Sequence, residues 1–297
     1  MHPASVDSST LVANAAISNA GSTRLVGRCA RIACMNWIAA LPMYNVTPAL
    51  AADWCSLLAD VLHEAAPQTR IVDPGDDLVT FWRRPDLLIS QTCGYPLMRG
   101  LCERVQLIAT PHFDTPGCVG ANYSSVLVTC AGATGEAIED FRGARAAYNQ
   151  DDSNSGMNAL RHSVAPFSRN GSFFAETIRT GSHLASLRAV ADARADIAAI
   201  DCVTMAFVRD ALPELAQTVR EIGWTSTSPG LPLIAAREVP PAMIEALRTA
   251  LEEARKADPV RAERLRLKGF STLTLADYAR IEQLQDEALA AGYARLV

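Results

Sequence analysis

The stretch TGSHLASLRAV (180–190) places two hydroxyl side chains, a glycine and a histidine directly before an apolar helical repeat. Thr180, Ser182 and His183 therefore stand at the start of a predicted helix. Ser and Thr at such positions commonly cap the free N–H groups of the first turn. The same N–H groups, together with the positive end of the helix dipole, also bind small anions. The stretch fits either an ordinary helix cap or an anion site.

A second stretch, NQDDSNSGMNAL, repeats this arrangement one strand earlier. Ser153, Asn154 and Ser155 follow a predicted strand and precede a predicted helix, and Gly156 allows close approach to the backbone. Neighbouring parallel strands would bring both helix starts to one spot. Hydroxyls and amides there can donate to a tetrahedral oxyanion, and His183 would add a charge-assisted donor. Neither stretch carries the lysine of a phosphate-binding P-loop, which argues against nucleotide hydrolysis.

The elements that must position these residues alternate between strands and helices. After a first strand RIACMNWI (31–38), a helix is predicted from Thr47, with Pro48 at its first position. From Pro240 the chain is predicted to be almost wholly helical. Strands that alternate with helices at this spacing indicate parallel βαβ units and an α/β fold. The other main predicted strands are DLLISQTC (86–93), RVQLIAT (104–110), SSVLVTC (124–130), GARAAYN (143–149), FAETIRT (174–180), ADIAAID (195–201) and TVREIGW (218–224).

Composition limits the classes of partner. The 297 residues suffice for two lobes, and a net charge of −5 argues against nucleic acid as the main partner. Apolar runs are only strand-length, so direct membrane insertion is not expected. Residues 1–30 show no basic start followed by a sustained apolar core, so no signal peptide is expected there. We expect this segment to be a disordered tail. The eight cysteines show no CxxC pair, which favours small buried side chains over a metal site.

Six segments follow one another along the chain: LPMY (41–44), LLISQTCGYP (87–96), ANYSSVLVT (121–129), EDFRGARAAYNQDDSNSG (139–156), TGSHLASLRAV and ADIAAIDCVT (195–204). In this order they resemble the phosphate/phosphite/phosphonate solute-binding proteins of ABC transporters. The resemblance covers about residues 31–236 and implies the two-lobed type II periplasmic binding fold, with two hinge crossings and a helical C-terminal segment. The expected lobes are residues 31–128 plus 224–297, and residues 129–223.

The resemblance also implies which side chains face the ligand. The two Ser-rich helix starts would hold the oxyanion, and other residues would enter the cleft from strand ends. Asp201 would pair with a substrate amine, or would simply cap the helix that begins at Cys202. Trp224 is expected either to wall the cleft or to pack at the hinge. The full expected set is Tyr44, Gln91, Thr92, Tyr123, Ser153, Asn154, Ser155, Thr180, Ser182, His183 and Asp201.

The function that follows is capture of a small phosphorus oxyanion (phosphonate, phosphite or phosphate) without catalysis, cofactor or metal, and delivery to an ABC permease. A periplasmic location is implied by the resemblance, whereas the lack of a visible signal peptide keeps a cytoplasmic ligand sensor open. A biosynthetic enzyme on the same fold, in which Cys93 would matter, is a further alternative. A hydrolase built from Ser153 or Ser182 with His183 and Asp201 is disfavoured, because adjacent side chains diverge on a helix and no nucleophile elbow is present.

Overall fold

The computed structural model of the chain describes residues 36–297, in which strands and helices alternate as the sequence predicts. The strands are β1 (Ile38–Ala40), β2 (Arg70–Ile71), β3 (Leu87–Gln91), β4 (Val105–Phe113), β5 (Asn122–Tyr123), β6 (Ser125–Cys130), β7 (Arg145–Tyr148), β8 (Glu176–Arg179), β9 (Ile197–Asp201), β10 (Val219–Trp224), β11 (Ser228–Pro229), β12 (Leu233–Ala236) and β13 (Leu267–Ser271).

Helices cover both sheets and most of the C-terminal segment. They are α1 (Pro48–Ala65), α2 (Leu78–Trp82), α3 (Gly94–Pro96), α4 (Ala159–Val164), α5 (His183–Ala191), α6 (Cys202–Ala211), α7 (Pro213–Ala216), α8 (Pro241–Ala257), α9 (Pro259–Arg264) and α10 (Leu275–Ala290). Shorter π-helical turns span Leu97–Leu101 and Asn154–Asn158, and 3-10 turns span Ile138–Phe141 and Ala165–Phe167.

The strands form two main sheets. The six-stranded sheet has the order β13-β4-β12-β3-β1-β2, and the five-stranded sheet has the order β10-β6-β9-β7-β8. In the second sheet, β7 pairs in parallel with both β8 and β9. The carboxyl ends of these three strands therefore meet at one edge, where the helix starts after β7 and β8 also lie.

The chain passes twice between the two sheets. It leaves the six-stranded sheet after β4, runs through β5 and enters β6; it returns from β10 through β11 to β12. The short strands β5 and β11 pair with each other in antiparallel register, Ser228 opposite Tyr123 and Pro229 opposite Asn122. The limits of the two lobes expected from the sequence stay a prediction.

Burial explains why the central strands are so apolar. Every residue of β3 and of β9 is buried, including the polar residues at their ends, Gln91 and Asp201. The helix predicted from Thr47 is confirmed: the Thr47 hydroxyl accepts the Leu50 backbone N–H at 3.3 Å, and Pro48 occupies the first helical position.

Two predictions concern the N-terminal and C-terminal segments of the chain. The tail predicted for residues 1–30, and most of the strand predicted at 31–38, lie outside the described residues; the first described strand is β1. The prediction of an almost wholly helical segment after Pro240 is wrong at β13, which pairs with β4. Arg266 adopts a left-handed backbone (φ 51°) that ends the helical run, and buried Leu267 and Gly269 then alternate with exposed Lys268.

No helix within residues 36–297 combines the length and apolar character needed to span a membrane. In the same part of the chain, no group of three or more His, Cys, Asp or Glu side chains is arranged to hold a metal ion.

Candidate functional site

A cavity of about 380 Å³ lies where the two helix starts converge, and its size is typical of small-ligand sites. Its lining falls into a polar group and an apolar group. The polar group includes Asn149, Ser153, Ser155, Ser182, His183 and Asp201, together with Tyr44. The apolar group includes Pro42, Met43, Leu78, Val79, Trp82 and Pro96.

The helix start after β7 is built around a close approach between backbone and side chain. Ser153 caps it, because its hydroxyl accepts the Gly156 backbone N–H at 3.1 Å. A Cβ added at Gly156 would lie 2.1 Å from Asn149 Oδ1, so only glycine fits there without displacing Asn149. The carbonyl of Ser155 accepts a hydrogen bond from the Ser125 hydroxyl at 3.1 Å.

The helix start after β8 is capped in the same way. The Ser182 hydroxyl accepts the Ala185 backbone N–H at 3.1 Å, as the capping interpretation of the sequence predicts. Thr180 does not line the cavity; its hydroxyl donates to the Tyr148 carbonyl at 3.1 Å and lies 2.6 Å from Ser186 Oγ. Thr180 thus fixes the turn, and its expected contact with ligand stays a prediction.

The two helix starts touch through one hydrogen bond. Ser155 Oγ lies 2.8 Å from His183 Nε2, and both side chains line the cavity. The buried Nδ1 of His183 has no well-aligned hydrogen bond among the described residues. Burial lowers the pKa of His183 to about 4, against an opposing effect of the Ala199 backbone. This favours a neutral imidazole in the ligand-free protein at neutral pH, since burial penalises the cation. The charge-assisted donor expected from the sequence stays a prediction.

Asp201 serves as a helix cap and also faces the cavity. Its Oδ1 accepts the backbone N–H groups of Val203 at 2.8 Å and Thr204 at 3.0 Å. Its Oδ2 accepts a hydrogen bond from the Tyr44 hydroxyl at 3.3 Å. Burial raises the pKa of Asp201 to about 6, although these three hydrogen bonds favour the carboxylate. Close to neutral pH, this carboxyl is thus poised between its two protonation states.

Three further expected site residues form a buried layer outside the cavity lining. Asn154 Nδ2 donates to the Tyr123 hydroxyl at 3.2 Å and to Ser228 Oγ at 2.9 Å. Gln91 Nε2 donates to the Leu231 carbonyl at 3.3 Å. The bonds of Asn154 tie the helix start after β7 to the crossing strands β5 and β11. Whether Asn154, Tyr123 or Gln91 contacts ligand stays a prediction.

Two other residues named from the sequence also lie outside the lining. The Thr92 hydroxyl donates to the Cys93 carbonyl at 3.3 Å, and it is Cys93 that borders the cavity. Burial raises the pKa of the Cys93 thiol to about 11, and its sulfur accepts the Asn154 backbone N–H at 3.3 Å. Trp224 does not wall the cavity and instead approaches Gly117 beside the first crossing.

The sequence analysis missed two polar groups at the cavity. Asn149 Oδ1 and Trp82 Nε1 are both buried without a hydrogen-bond partner in residues 36–297, and both residues line the cavity. Asn149 directly follows β7, and a polar residue at the end of the strand before the Ser-rich turn could have been predicted to face the site. Trp82 ends the short helix α2, and nothing in that segment pointed to the site.

The charges around the cavity are all negative. Four aspartates line it, and the described lining contains no Lys or Arg. Burial raises the pKa of Asp152, whereas hydrogen bonds from Thr80 lower the pKa of exposed Asp77. An anion held here would depend on backbone N–H groups, hydroxyls and amides rather than on cationic side chains.

Several solved structures share this fold. The binding protein component of an ABC phosphonate transporter from Pseudomonas aeruginosa is 16% identical, with a TM-score of 0.72 over 86% of this chain and 87% of that one. PhnD1 from Prochlorococcus marinus, in complex with methylphosphonate, is 15% identical, with a TM-score of 0.68 over 84% and 96%. The alkanesulfonate-binding protein SsuA from Xanthomonas axonopodis pv. citri, bound to MOPS, is 13% identical, with a TM-score of 0.59 over 88% and 94%.

These likenesses confirm the type II periplasmic binding fold that the sequence segments implied. No curated protein sequence matches the chain significantly. A family model described as "ABC transporter, phosphonate, periplasmic substrate-binding protein" matches residues 84–278, which is more than half of the chain. The chain therefore belongs to the family of periplasmic phosphonate substrate-binding proteins of ABC transporters.

Proposed function

We propose that this protein is the non-catalytic binding component of an ABC uptake system and that it captures a small phosphorus oxyanion in the cavity. The observation that carries the proposal is the meeting of two Ser-capped helix starts, joined by the 2.8 Å contact between Ser155 Oγ and His183 Nε2. The first turn of a helix leaves backbone N–H groups without intrahelical partners. Two such ends at one cavity match the several acceptor oxygens of a tetrahedral anion.

The oxyanion is assigned to the polar group of the lining. Ser155 and neutral His183 each supply a donor that can turn towards a ligand oxygen, and the Asn149 amide lies beside them. Ser153 and Ser182 use their hydroxyls to accept first-turn N–H groups, so their contribution is to hold the helix starts in shape. We propose contacts with the ligand for the other residues expected from the sequence only as part of this assignment.

The aspartates restrict the charge of the ligand. A dianion next to ionised Asp201 would be repelled, with no Lys or Arg in the described lining to compensate. The ligand is therefore a monoanion whose protonated oxygen meets Asp201, or a zwitterion whose cationic group faces the carboxylate. In either case Asp201 decides which form of the ligand is accepted.

The apolar lining indicates an organic substituent on phosphorus. Met43, Leu78, Val79 and Trp82 offer a surface that inorganic phosphate does not use. The cavity volume of about 380 Å³ falls within the range of about 300–1,000 Å³ that is common for small-molecule sites. A phosphonate with an alkyl or aryl group fills this space better than phosphate or phosphite does, so organophosphonates are the proposed substrate class.

The Ser155–His183 contact is also the observation that favours a second candidate, a hydrolase with Ser155 as nucleophile. A general base works best with a pKa near the operating pH, and burial lowers that of His183 to about 4. No third group in residues 36–297 orients its Nδ1 through a well-aligned hydrogen bond. Binding without turnover is accordingly proposed; release of phosphate from a phosphonate incubated with the protein would favour the enzyme.

Family membership implies a transporter partner and a periplasmic site of action. We therefore assign an ABC permease as the partner that receives the ligand. Fractionation of cells that produce the full chain tests the location. Recovery from the periplasm supports uptake, whereas recovery from the cytoplasm alone would favour the ligand-sensor alternative.

Calorimetric titration tests the binding proposal. The ligands are phosphate, phosphite, methylphosphonate, phenylphosphonate and sulfate, and the proteins are wild type, Ser155→Ala and Ser163→Ala. Ser163 is a matched control, because its hydroxyl only donates to the Ala159 carbonyl at 2.9 Å within α4. Phosphonate binding that Ser155→Ala weakens and Ser163→Ala preserves is expected. Failure of every phosphorus oxyanion to bind would contradict the proposal.

A further inference from the structure

Two cysteines far apart in sequence bring their sulfur atoms into contact beside the first crossing. Cys118 Sγ and Cys202 Sγ are 3.5 Å apart, although 84 positions separate the two residues. Cys118 lies in the loop between β4 and β5, and Cys202 is the first residue of α6. Both are free thiols in the structure. Nothing in the proposed binding of an oxyanion uses either sulfur.

The surrounding backbone holds the two thiols against each other. The Cys202 N–H donates to the Ser124 carbonyl at 3.1 Å, and the Ser124 hydroxyl donates to the Gly117 carbonyl at 3.2 Å. Gly117 has a left-handed backbone (φ +91°), and a Cβ there would lie 3.0 Å from Cys202 Cβ and 2.4 Å from the Trp224 ring. The loop therefore packs tightly on the start of α6.

We propose that Cys118 and Cys202 form a disulfide when the protein meets a disulfide oxidant, such as a periplasmic dithiol oxidase. The Cys118 thiolate attacks one sulfur of the oxidant's disulfide and expels the other as a thiolate. The Cys202 thiolate then attacks Cys118 Sγ, forms the internal bond and releases the second oxidant thiol. The two cysteines lose two protons and two electrons, and the oxidant's disulfide is reduced to two thiols.

The order of attack follows from exposure. Cys118 is half-buried and reachable, whereas Cys202 is buried behind it. The hydrogen bond with Cys118 and burial both raise the pKa of the Cys202 thiol, which makes it the slower nucleophile. A modest movement closes the contact from 3.5 Å to the ~2.05 Å of a disulfide bond.

The bond would join the first crossing to the residue that follows Asp201. It would close a loop of 84 positions, and cross-links across long loops restrict the unfolded chain strongly. We expect the oxidised full chain to melt roughly 5 °C above the reduced chain, a shift that reflects this restriction.

Peptide mapping of the full chain tests the proposal. The protein is incubated with oxidised glutathione, alkylated and digested without reduction, alongside Cys118→Ser, Cys202→Ser and the control Cys130→Ser. A cross-linked peptide pair containing Cys118 and Cys202 is expected in wild type and Cys130→Ser, together with the higher melting temperature. Both signals should vanish in the two other variants.

Comparison of the reduced proteins shows whether a Cys→Ser variant is misfolded. The melting temperature of each Cys→Ser protein is measured under reduction and should match that of reduced wild type within a few degrees. Alkylated Cys118 and Cys202 after oxidation of wild type would overturn the inference. So would a stable glutathione adduct on Cys118, or pairing of either cysteine with a different partner.

Discussion

Replacement of Asp201 by Asn should change how stability depends on pH. Asn keeps the shape of the side chain, and its Oδ1 can still accept the Val203 and Thr204 backbone N–H groups that Asp201 accepts. The replacement therefore removes the buried charge and retains the helix cap. In the ligand-free protein, the difference in unfolding free energy between Asn and Asp isolates the effect of that charge.

The magnitude follows from the pKa of Asp201, which burial raises from 3.8 to about 6. Below about pH 3 the carboxyl is protonated in both the folded and the unfolded chain, so it contributes no difference. Between pH 4 and 6 the folded chain binds more protons, and stability falls as the pH rises. Above about pH 7 the loss is complete and amounts to about 3 kcal/mol, at about 1.36 kcal/mol per pKa unit.

Urea denaturation at pH 4, 5, 6, 7 and 8 measures this effect. The stability of Asp201→Asn relative to wild type should increase by up to about 3 kcal/mol between pH 4 and pH 8. Asp192→Asn is the control for loss of an exposed carboxylate, which here pairs only with Arg194 at 3.4 Å, and the Asp201→Asn difference is compared with it at each pH. A flat difference for Asp201→Asn, or one that falls with rising pH, would refute the account of a buried, destabilised carboxylate.

Three further predictions concern the cavity. Ser155→Ala should weaken phosphonate binding by about 1.5–3 kcal/mol, the range for hydrogen bonds to charged groups, as measured by calorimetry; an unchanged dissociation constant would reduce Ser155 to a structural role. Gly156→Ala should lower both the melting temperature and ligand affinity, because its Cβ would lie 2.1 Å from Asn149 Oδ1; a Gly132→Ala control tests glycine loss at a position with open space around it, and equal effects would argue against the packing explanation. Trp82→Ala should weaken phenylphosphonate binding more than methylphosphonate binding. An equal loss for both ligands would mean that Trp82 does not contact the organic group on phosphorus.

Local sequence signals were enough to predict much of the fold. The cap at Thr47 depends on neighbours in sequence, and so do the caps at Ser153 and Ser182. The convergence of the last two followed from the parallel pairing of β7 with β8, which alternation of strands and helices indicates.

Features set by distant contacts were harder to predict. Burial of the imidazole lowers the pKa of His183 to about 4, and the neighbouring residues in sequence do not reveal this. The Thr180 hydroxyl donates to the Tyr148 carbonyl and lies 2.6 Å from Ser186 Oγ, and the cap-like sequence around Thr180 does not reveal these contacts. The strand β13 depends on the left-handed turn at Arg266 and on an edge of β4 that is free to pair with it. The spacing of apolar residues in this segment also fits an amphipathic helix, so the sequence alone favoured a helix.

The most direct test of the central claim is a crystal structure of the protein with phenylphosphonate bound. The account predicts phosphonate oxygens within hydrogen-bond distance of Ser155 Oγ and of the backbone at the start of α5, with the ring against Trp82. A phosphonate bound away from both helix starts, with Ser155 and His183 still joined only to each other, would contradict it.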